Sequence, residues 1–170
     1  MAVVAINRWQ GRLWWCACGG WSLWQGDIWS QHCSQHLLDP YSFSHVLHGV
    51  LFFWLFSWAL KRAPAWQFPA ALITEALWEL LENSQLVIQR YREATIALGY
   101  EGDSVLNSMG DVLCCAAGFF LARKLGWKRS LAFLVAVELV LLFAIKDNLT
   151  LNVLMLLCPI DGIKAWQMAR

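Results

Sequence analysis

The chain contains 170 residues, of which 59% are hydrophobic and 15% are charged. An ordinary soluble domain has roughly 45 to 50% apolar and about 25% charged residues, so the composition argues against a water-soluble globule. A net charge of +1 excludes the strongly basic surface typical of a nucleic-acid-binding protein. Twelve Trp residues favour a membrane protein, because Trp is enriched where a bilayer meets water.

The first 42 residues form a Trp-rich segment without a clear helical period. Its indole side chains stand among Gly, Ser, Gln and Cys, at Trp9, Trp14, Trp15, Trp21, Trp24 and Trp29. Such side chains prefer the membrane–water interface. We therefore predict an interfacial or extracytoplasmic segment over residues 1–42 and a transmembrane helical domain over residues 43–170.

Two apolar stretches follow this segment. Residues 40–60 contain no charged side chain and predict a membrane-spanning helix (predicted helix A), because about 20 apolar residues cross a bilayer. Lys61 and Arg62 end it. Predicted helix B runs from about residue 66 to residue 84 and continues towards Arg92.

Two more helices are predicted after a loop that ends at the N-cap candidates Asp103 and Ser104. Predicted helix C covers residues 105–122 and predicted helix D covers residues 130–145. Residues 149–160 predict either a short fifth helix or a segment in the interface. The expected fold class is therefore an all-α bundle of transmembrane helices with four spans and a candidate fifth.

Basic residues predict how this bundle is oriented. If the helices alternate in direction, most Lys and Arg residues of the short connections share one side, which the positive-inside rule assigns to the cytoplasm. These residues are Lys61, Arg62, Arg123, Lys124, Lys128 and Arg129. The expected location is the bacterial plasma (inner) membrane, crossed several times, with the Trp-rich segment on the opposite side.

Polar side chains near the non-cytoplasmic helix ends form the main candidate site. Within each predicted helix they recur at helical spacing and so share a face. They are His45 and His48 in A, Glu75, Glu79, Glu82 and Asn83 in B, and Asn107 and Asp111 in C. An acid at the middle of a membrane helix costs about 2.5 to 3.5 kcal/mol, whereas each Leu or Phe returns only about 0.3 to 0.6. We therefore expect these groups to point into one shared pocket, with at least one acid holding a proton or sharing a cation.

Helix C also carries the small residues Gly110, Cys114 and Gly118. This spacing lets two helices approach closely, so we expect a tight helix contact there.

Two functions from different classes remain open for the pocket. As an enzyme, the protein would use His48, Glu79, Glu82 and Asp111 for acid–base or metal chemistry on a lipid or isoprenoid-linked phosphate. As a non-catalytic protein, it would use the same acids to bind a cation or lipid headgroup, or to fix helix register in an accessory subunit.

A divalent metal, Zn or Fe, is one cofactor that the pocket could hold. His45 and His48 are the candidate ligands, with the carboxylates as their partners. The alternative is that both are packed histidines hydrogen-bonded to the same acids.

Substrate contacts are predicted around the loop that follows the acids. Arg90 and Arg92 could hold a phosphate, since a guanidinium group binds phosphate through two donors. Pairing with Glu93, Glu101 or Asp103 is the alternative. Asn83, Asn107 and Asp103 are further candidates for substrate binding, and the expected partners are the bilayer and a lipid-linked substrate rather than a nucleic acid.

Three cysteines, Cys16, Cys18 and Cys33, lie in the Trp-rich segment. An odd number permits one disulfide and one free thiol, and His32 and His36 nearby also permit a metal site. A disulfide or no bond is the interpretation favoured by the sequence.

Four stretches of the sequence are distinctive: GRLWWCACG, SQHLLDPYSFSHVLHG, EALWELLENSQLVIQRYREATIALGYEGDSVLNSMGD and KDNLTLNVLMLLCPI. They resemble a family of small bacterial multi-pass membrane proteins described as a domain of unknown function, which implies an inner-membrane location. More distantly, the order of polar residues along the chain resembles that of VanZ-like membrane proteins linked to glycopeptide resistance. In this order a helix with Asp or His is followed by a helix with Glu, then an Arg, and then Asp, Asn and Gly.

Overall fold

The computed structural model describes residues 2–97 and 99–169. The regular elements of this part of the chain are helices, in the order α1 (Ala2–Trp9), α2 (Ser42–Ala59), α3 (Gln67–Glu82), α4 (Gln85–Ala94), α5 (Val105–Ile145), α6 (Leu149–Leu157) and α7 (Asp161–Met168). A 3-10 turn at Pro64–Trp66 precedes α3, and one isolated β-bridge joins Trp24 to Leu38. The chain is therefore all-α, as its sequence predicts.

The prediction of four membrane spans is wrong. Within residues 2–97 and 99–169, α2 is the one helix that is long and apolar enough to cross a membrane. Helix α3 has 16 residues, fewer than the about 20 that a span needs, because Ser84 caps a separate helix α4. In α5, Asp111, Glu138 and the basic residues near Gly126 leave only short apolar runs. The candidate fifth span is the nine-residue helix α6.

A backbone break at Gly126 divides α5 into two parts that correspond to predicted helices C and D. Gly126 has a φ of +70°, a conformation that glycine adopts without a steric penalty. After the break, the Trp127 ring lies 4.5 Å from that of Trp54, and Tyr41 donates a hydrogen bond to Asp147. The second part of α5 therefore runs back along α2.

Helix α2 packs on the first part of α5 with backbone against backbone. A Cβ atom on Gly49 would lie 2.0 Å from the carbonyl oxygen of Cys115, and one on Gly118 would lie 1.9 Å from that of Val46. The tight helix contact expected from the small residues of α5 is thus made, and its partner is α2. Close packing at this contact fixes the depth at which the polar residues of both helices meet.

The Trp-rich segment covers one end of this helix pair. The chain between α1 and α2 contains no helix or named strand. Backbone hydrogen bonds from Val105 N to Leu13 O and from Ser104 N to Ser34 O, at 2.8 and 2.9 Å, tie it to the start of α5. It therefore lies above the ends of α2 and α5 that carry the polar residues.

Candidate functional site

A single carboxylate joins the two histidines of α2. Glu75 on α3 is fully buried, and its Oε1 lies 2.6 Å from Nδ1 of His45 while its Oε2 lies 3.0 Å from Nδ1 of His48. A carboxylate that accepts from Nδ1 holds the ring in place and leaves Nε2 for a proton or a metal. Glu75 belongs to the predicted Glu stripe, four residues before Glu79, but sequence analysis gave it no role of its own.

Two more acids face His45. Glu79 Oε1 lies 3.4 Å from His45 Nδ1, and Asp111 Oδ2 on α5 lies 3.9 Å from His45 Nε2. Ser42 donates a 2.8 Å hydrogen bond to the other oxygen of Asp111. Both oxygens of Glu79 are buried and accept no hydrogen bond from the described residues. The structure therefore brings together the predicted residues of three helices.

These side chains form two donor sets that could hold a metal ion. His45, His48 and Glu75 make one set, and His45, Glu79 and Asp111 make the other, with the donor atoms of each set within 4.8 Å of one another. Imidazole and carboxylate donors together suit Zn or Fe. Because both sets include His45, one ion bound to this histidine could draw on either.

The start of α2 is positioned by Asp39, which sequence analysis missed. Its Oδ1 accepts hydrogen bonds from the backbone N–H groups of Tyr41 and Ser42 at 2.7 and 3.2 Å, and its Oδ2 accepts one from that of Ser34 at 2.9 Å. An Asp followed by Pro shortly before a helix is a usual turn signal and could have identified it. These hydrogen bonds set the direction in which α2 leaves the Trp-rich segment.

Asn83 and Asp103 form a reciprocal pair beside the cluster. Asn83 Nδ2 donates to Asp103 Oδ2 at 2.9 Å, and the backbone N–H of Asp103 donates to Asn83 Oδ1 at 2.7 Å. Tyr100 donates to the other oxygen of Asp103 at 2.9 Å. Burial raises the pKa of Asp103 to about 6, although these hydrogen bonds oppose the shift.

Glu82 lies at the end of α3, next to this pair. The Tyr91 hydroxyl donates a 2.8 Å hydrogen bond to its Oε1. Burial, followed by the negative charge of Asp103, raises the pKa of Glu82 to about 8. This carboxyl group is therefore poised to exchange a proton near neutral pH.

A cavity of about 1100 Å³ extends from the histidines of α2 to Glu82 and Asp103. Its polar part is lined by His45, His48, Glu82, Asp103, Asn107 and Asp111, and its apolar part by Phe52, Leu77, Trp78 and Leu81. Leu77 and Leu81 are also 61% and 50% exposed, so the apolar part reaches the outside of the helix pair. Within residues 2–97 and 99–169, no Lys or Arg side chain lines this cavity.

The predicted substrate-binding residues occupy different positions. Asn107 lines the cavity, and its buried Nδ2 has no hydrogen-bond partner in the described part of the chain. Arg90 Nε donates to Leu156 O at 2.8 Å, and Arg92 Nε donates to Tyr100 O at 2.5 Å. Neither Arg side chain lines the cavity or makes an ion pair with Glu93, Glu101 or Asp103 among the described residues.

Glu138 stands apart from the site. Its two carboxylate oxygens accept hydrogen bonds from the backbone N–H groups of Leu149 and Thr150, at 3.0 and 3.1 Å. It therefore satisfies free donors in the first turn of α6.

Comparison with known proteins gives one family. A family model described as "Protein of unknown function (DUF2585)" matches residues 7–169. The chain is 48% identical to a UPF0314 protein of Sphingopyxis alaskensis, covering 97% of this chain and 88% of that protein. It is 47% identical to one of Rhizobium meliloti (96% and 84% coverage) and 43% identical to one of Paracoccus denitrificans (95% and 84%). No solved structure matches the chain.

Proposed function

We propose that this chain, which belongs to the DUF2585 family of proteins of unknown function, is a metal-dependent hydrolase for the phosphate ester of a lipid-like substrate. The observation that carries the proposal is the Glu79 carboxylate, whose two buried oxygens accept no hydrogen bond from the described residues although His45 and Asp111 lie beside it. A buried carboxylate without donors is costly unless a proton or a cation accompanies it.

A divalent cation fits the donor set of His45, Glu79 and Asp111. These three protein ligands would leave a coordination position for water or substrate, as catalytic rather than structural zinc sites do. A cation held by them would lower the pKa of a bound water molecule and stabilise negative charge on a phosphate.

His48 is placed to move the proton of this reaction. Its Nδ1 faces Glu75, which leaves Nε2 to act as the base, and the side chain lines the cavity. The oxygen of a water molecule bonds to phosphorus while the P–O bond to the lipid breaks. His48 takes the proton from the water and returns it to the oxygen of the departing alcohol, so the products are the alcohol and inorganic phosphate.

The shape and polarity of the cavity support an amphiphilic substrate. Phe52, Leu77 and Trp78 offer an apolar wall to a hydrocarbon chain, and the unpaired Nδ2 of Asn107 can donate to a phosphate oxygen at the polar end. Because no Lys or Arg is among the described lining residues, the phosphate would be held by the cation. Arg90 and Arg92 have no part in this proposal, because their Nε groups already donate to backbone carbonyls.

We place the protein in the bacterial inner membrane, with α2 as the segment that crosses the bilayer. Helix α2 meets the length and hydropathy of a span, and Leu55 and Trp58 on it are 48% and 75% exposed, as expected of side chains that contact lipid. Lys61 and Arg62 follow α2 directly and favour a cytoplasmic location for that end. His45, near the other end, would then lie towards the non-cytoplasmic side.

A second function, cation or headgroup binding without catalysis, is favoured by one observation. The polar part of the cavity carries the carboxyl groups of Glu82, Asp103 and Asp111, and no Lys or Arg lines it in the described part of the chain. Such a surface attracts cations whether or not a reaction follows.

The test is phosphate release by the purified protein in detergent micelles that contain a long-chain polyprenyl monophosphate and either Zn²⁺ or Mn²⁺. The wild type is expected to release inorganic phosphate. His48→Gln is expected to keep the metal and to lose roughly 10²- to 10⁴-fold in kcat, the usual contribution of a general base. His45→Gln is expected to lose one equivalent of metal together with activity.

Glu101→Gln is the matched control, because Glu101 lines the same cavity but is exposed and belongs to neither donor set. It should leave metal content and turnover unchanged. A wild type that binds the cation through His45 and releases no phosphate would support the second function. A cluster that binds no cation would overturn the metal-dependent hydrolase and the cation-binding function.

The location has its own test. The protein is expected to stay with the membrane fraction after an alkaline carbonate wash. Trypsin is expected to cleave after Lys61 or Arg62 in inverted membrane vesicles and not in intact spheroplasts, with the cleaved bond identified by mass spectrometry. Cleavage in spheroplasts would reverse the proposed orientation.

A further inference from the structure

The Trp-rich segment brings together two cysteines and two histidines from two short stretches of its sequence. One ligand atom from each of Cys16, Cys18, His32 and His36 lies within 4.8 Å of those of the other three. Cys16 Sγ lies 3.0 Å from Nδ1 of His32. Four soft or borderline donors at such separations match the tetrahedral Cys₂His₂ shell of a structural zinc ion.

We propose that these four residues bind one Zn²⁺ ion that holds the Trp-rich segment in place over the cavity. This site is separate from the cluster around His45 and does not depend on the proposed hydrolase activity.

Burial within the segment supports the proposal. Most residues between α1 and α2 are exposed or half-buried, including five indole side chains, whereas Cys16 and His36 are only 4% and 8% exposed. A segment with so few buried apolar side chains and no regular hydrogen-bonded element gains little stability from a core of its own. In small folds of this kind a structural metal often supplies the missing stabilisation.

The state of the donor atoms also supports a metal site. His36 Nδ1 accepts a 3.0 Å hydrogen bond from the backbone N–H of Ser22, so this nitrogen carries a lone pair rather than a proton, and an ion bound to it would replace the amide. All cysteines of the segment are free thiols in the structure.

The spacing of the two histidines is that of known zinc sites, whereas the spacing of the two cysteines is shorter than usual. Three residues separate His32 from His36, as in many zinc fingers. Only one residue separates Cys16 from Cys18, fewer than the usual two to four, which is why the sequence by itself favoured a disulfide or no bond. The turn at Gly19, which has a φ of +78°, directs the chain away directly after this short pair.

The position of the site gives the ion a structural consequence. Cys16, Cys18 and His32 line the same cavity as His45, from the side of the Trp-rich segment. A zinc ion here would fix the part of the cavity wall that is not formed by helices. The order of the Trp-rich segment at this wall would then depend on the metal.

The experiment uses the full-length, metal-free protein in detergent, titrated with Co²⁺ as a spectroscopic substitute for Zn²⁺. Thiolate-bound cobalt gives a charge-transfer band in the near ultraviolet, and the donor sets around His45 contain no thiol. The wild type is expected to show this band at one equivalent and to lose it when Zn²⁺ is added. Cys16→Ser and Cys18→Ser are expected to lose it, and His36→Gln to weaken cobalt binding at least about tenfold.

Cys33→Ser is the matched control, because Cys33 lies in the same segment but outside the donor set. It should keep the band, as should His45→Gln, which separates this site from the proposed catalytic one. Absence of the band in reduced wild-type protein, or its persistence in Cys16→Ser, would overturn the proposal.

A second measurement needs no variant. Cys18 is exposed, so iodoacetamide should alkylate it quickly in the metal-free wild type. One equivalent of Zn²⁺ is expected to slow this reaction at least about tenfold, and a chelator to restore it. Equal rates with and without zinc, or a quantitative disulfide of Cys16 or Cys18 in the untreated protein, would contradict the site.

Discussion

Glu75 Oε1 lies 2.6 Å from Nδ1 of His45, in a contact between α3 and α2 that is closed to solvent. The same carboxylate reaches His48 with its other oxygen. Glu75 thus positions both rings at once, and Nε2 of His45 is left on the side of Asp111.

Glu75→Gln is predicted to weaken metal binding at the His45 cluster about 10- to 100-fold, as loss of a partner that orients a ligand usually does. The amide keeps the shape of the side chain but can accept from only one imidazole and carries no charge. Cation affinity is measured by competition with a fluorescent chelator. An affinity equal to that of the wild type would show that Glu75 does not orient His45.

Gly49→Ala is predicted to destabilise the fold by about 1 to 3 kcal/mol, the usual cost of an extra methyl group in a packed interior. The new Cβ would meet the backbone oxygen of Cys115 at 2.0 Å, so α2 and α5 must move apart. The measurement is the unfolding midpoint in detergent. Gly162→Ala in α7 is the control, because a Cβ there has no neighbour within 4 Å, and it should be neutral or slightly stabilising.

The raised pKa of Glu82 leads us to predict that the stability of the fold depends on pH. Its pKa rises from 4.5 in the unfolded chain to about 8 in the fold, so the folded state binds more protons between these values. Stability therefore falls as the pH rises from about 4.5 to about 8, with the full loss reached above the folded-state pKa. The pH profile of the unfolding midpoint should show this fall, and Glu82→Gln should flatten it.

Glu93→Gln is the control for this profile, because Glu93 is exposed at the end of α4. Its profile should match that of the wild type. A Glu82→Gln profile as steep as the wild type would locate the titration in another group.

Asn83→Asp is predicted to destabilise the protein strongly at neutral pH, because it places a second carboxylate 2.9 Å from Asp103 Oδ2 in the interior. Adding Asp103→Asn should restore part of the loss, since the introduced amide could then donate to the introduced carboxylate. The rescue is expected to be partial because Asn83 also donates to Glu79 O and Ser108 Oγ. Measuring both single variants and the double variant gives the coupling energy, and a coupling near zero would show that the pair does not interact.

The positions of α2 and α5 followed closely from the sequence, whereas the short helices α1 and α7 were not predicted. Predicted helix A matches α2 within a few residues, and predicted helices C and D meet at the break at Gly126. Predicted helix B continued too far, because Ser84 accepts a hydrogen bond from Val87 N and starts α4. The number of spans was wrong because predicted helix B is divided at Ser84 into two short helices, and because Asp111 and Glu138 interrupt the apolar runs of α5.

Helical spacing by itself determined which polar residues share a face: His45 with His48, Glu75 with Glu79, and Asn107 with Asp111. Only the tertiary structure decided that Glu75 joins both histidines, that Arg90 and Arg92 turn to backbone carbonyls, and that Cys16 meets His32. Local periodicity fixes directions around one helix axis. The distance between side chains on different elements depends on how closely the backbones pack. Here it is set by glycine contacts between α2 and α5 and by the Trp-rich segment, whose sequence has no helical or strand periodicity.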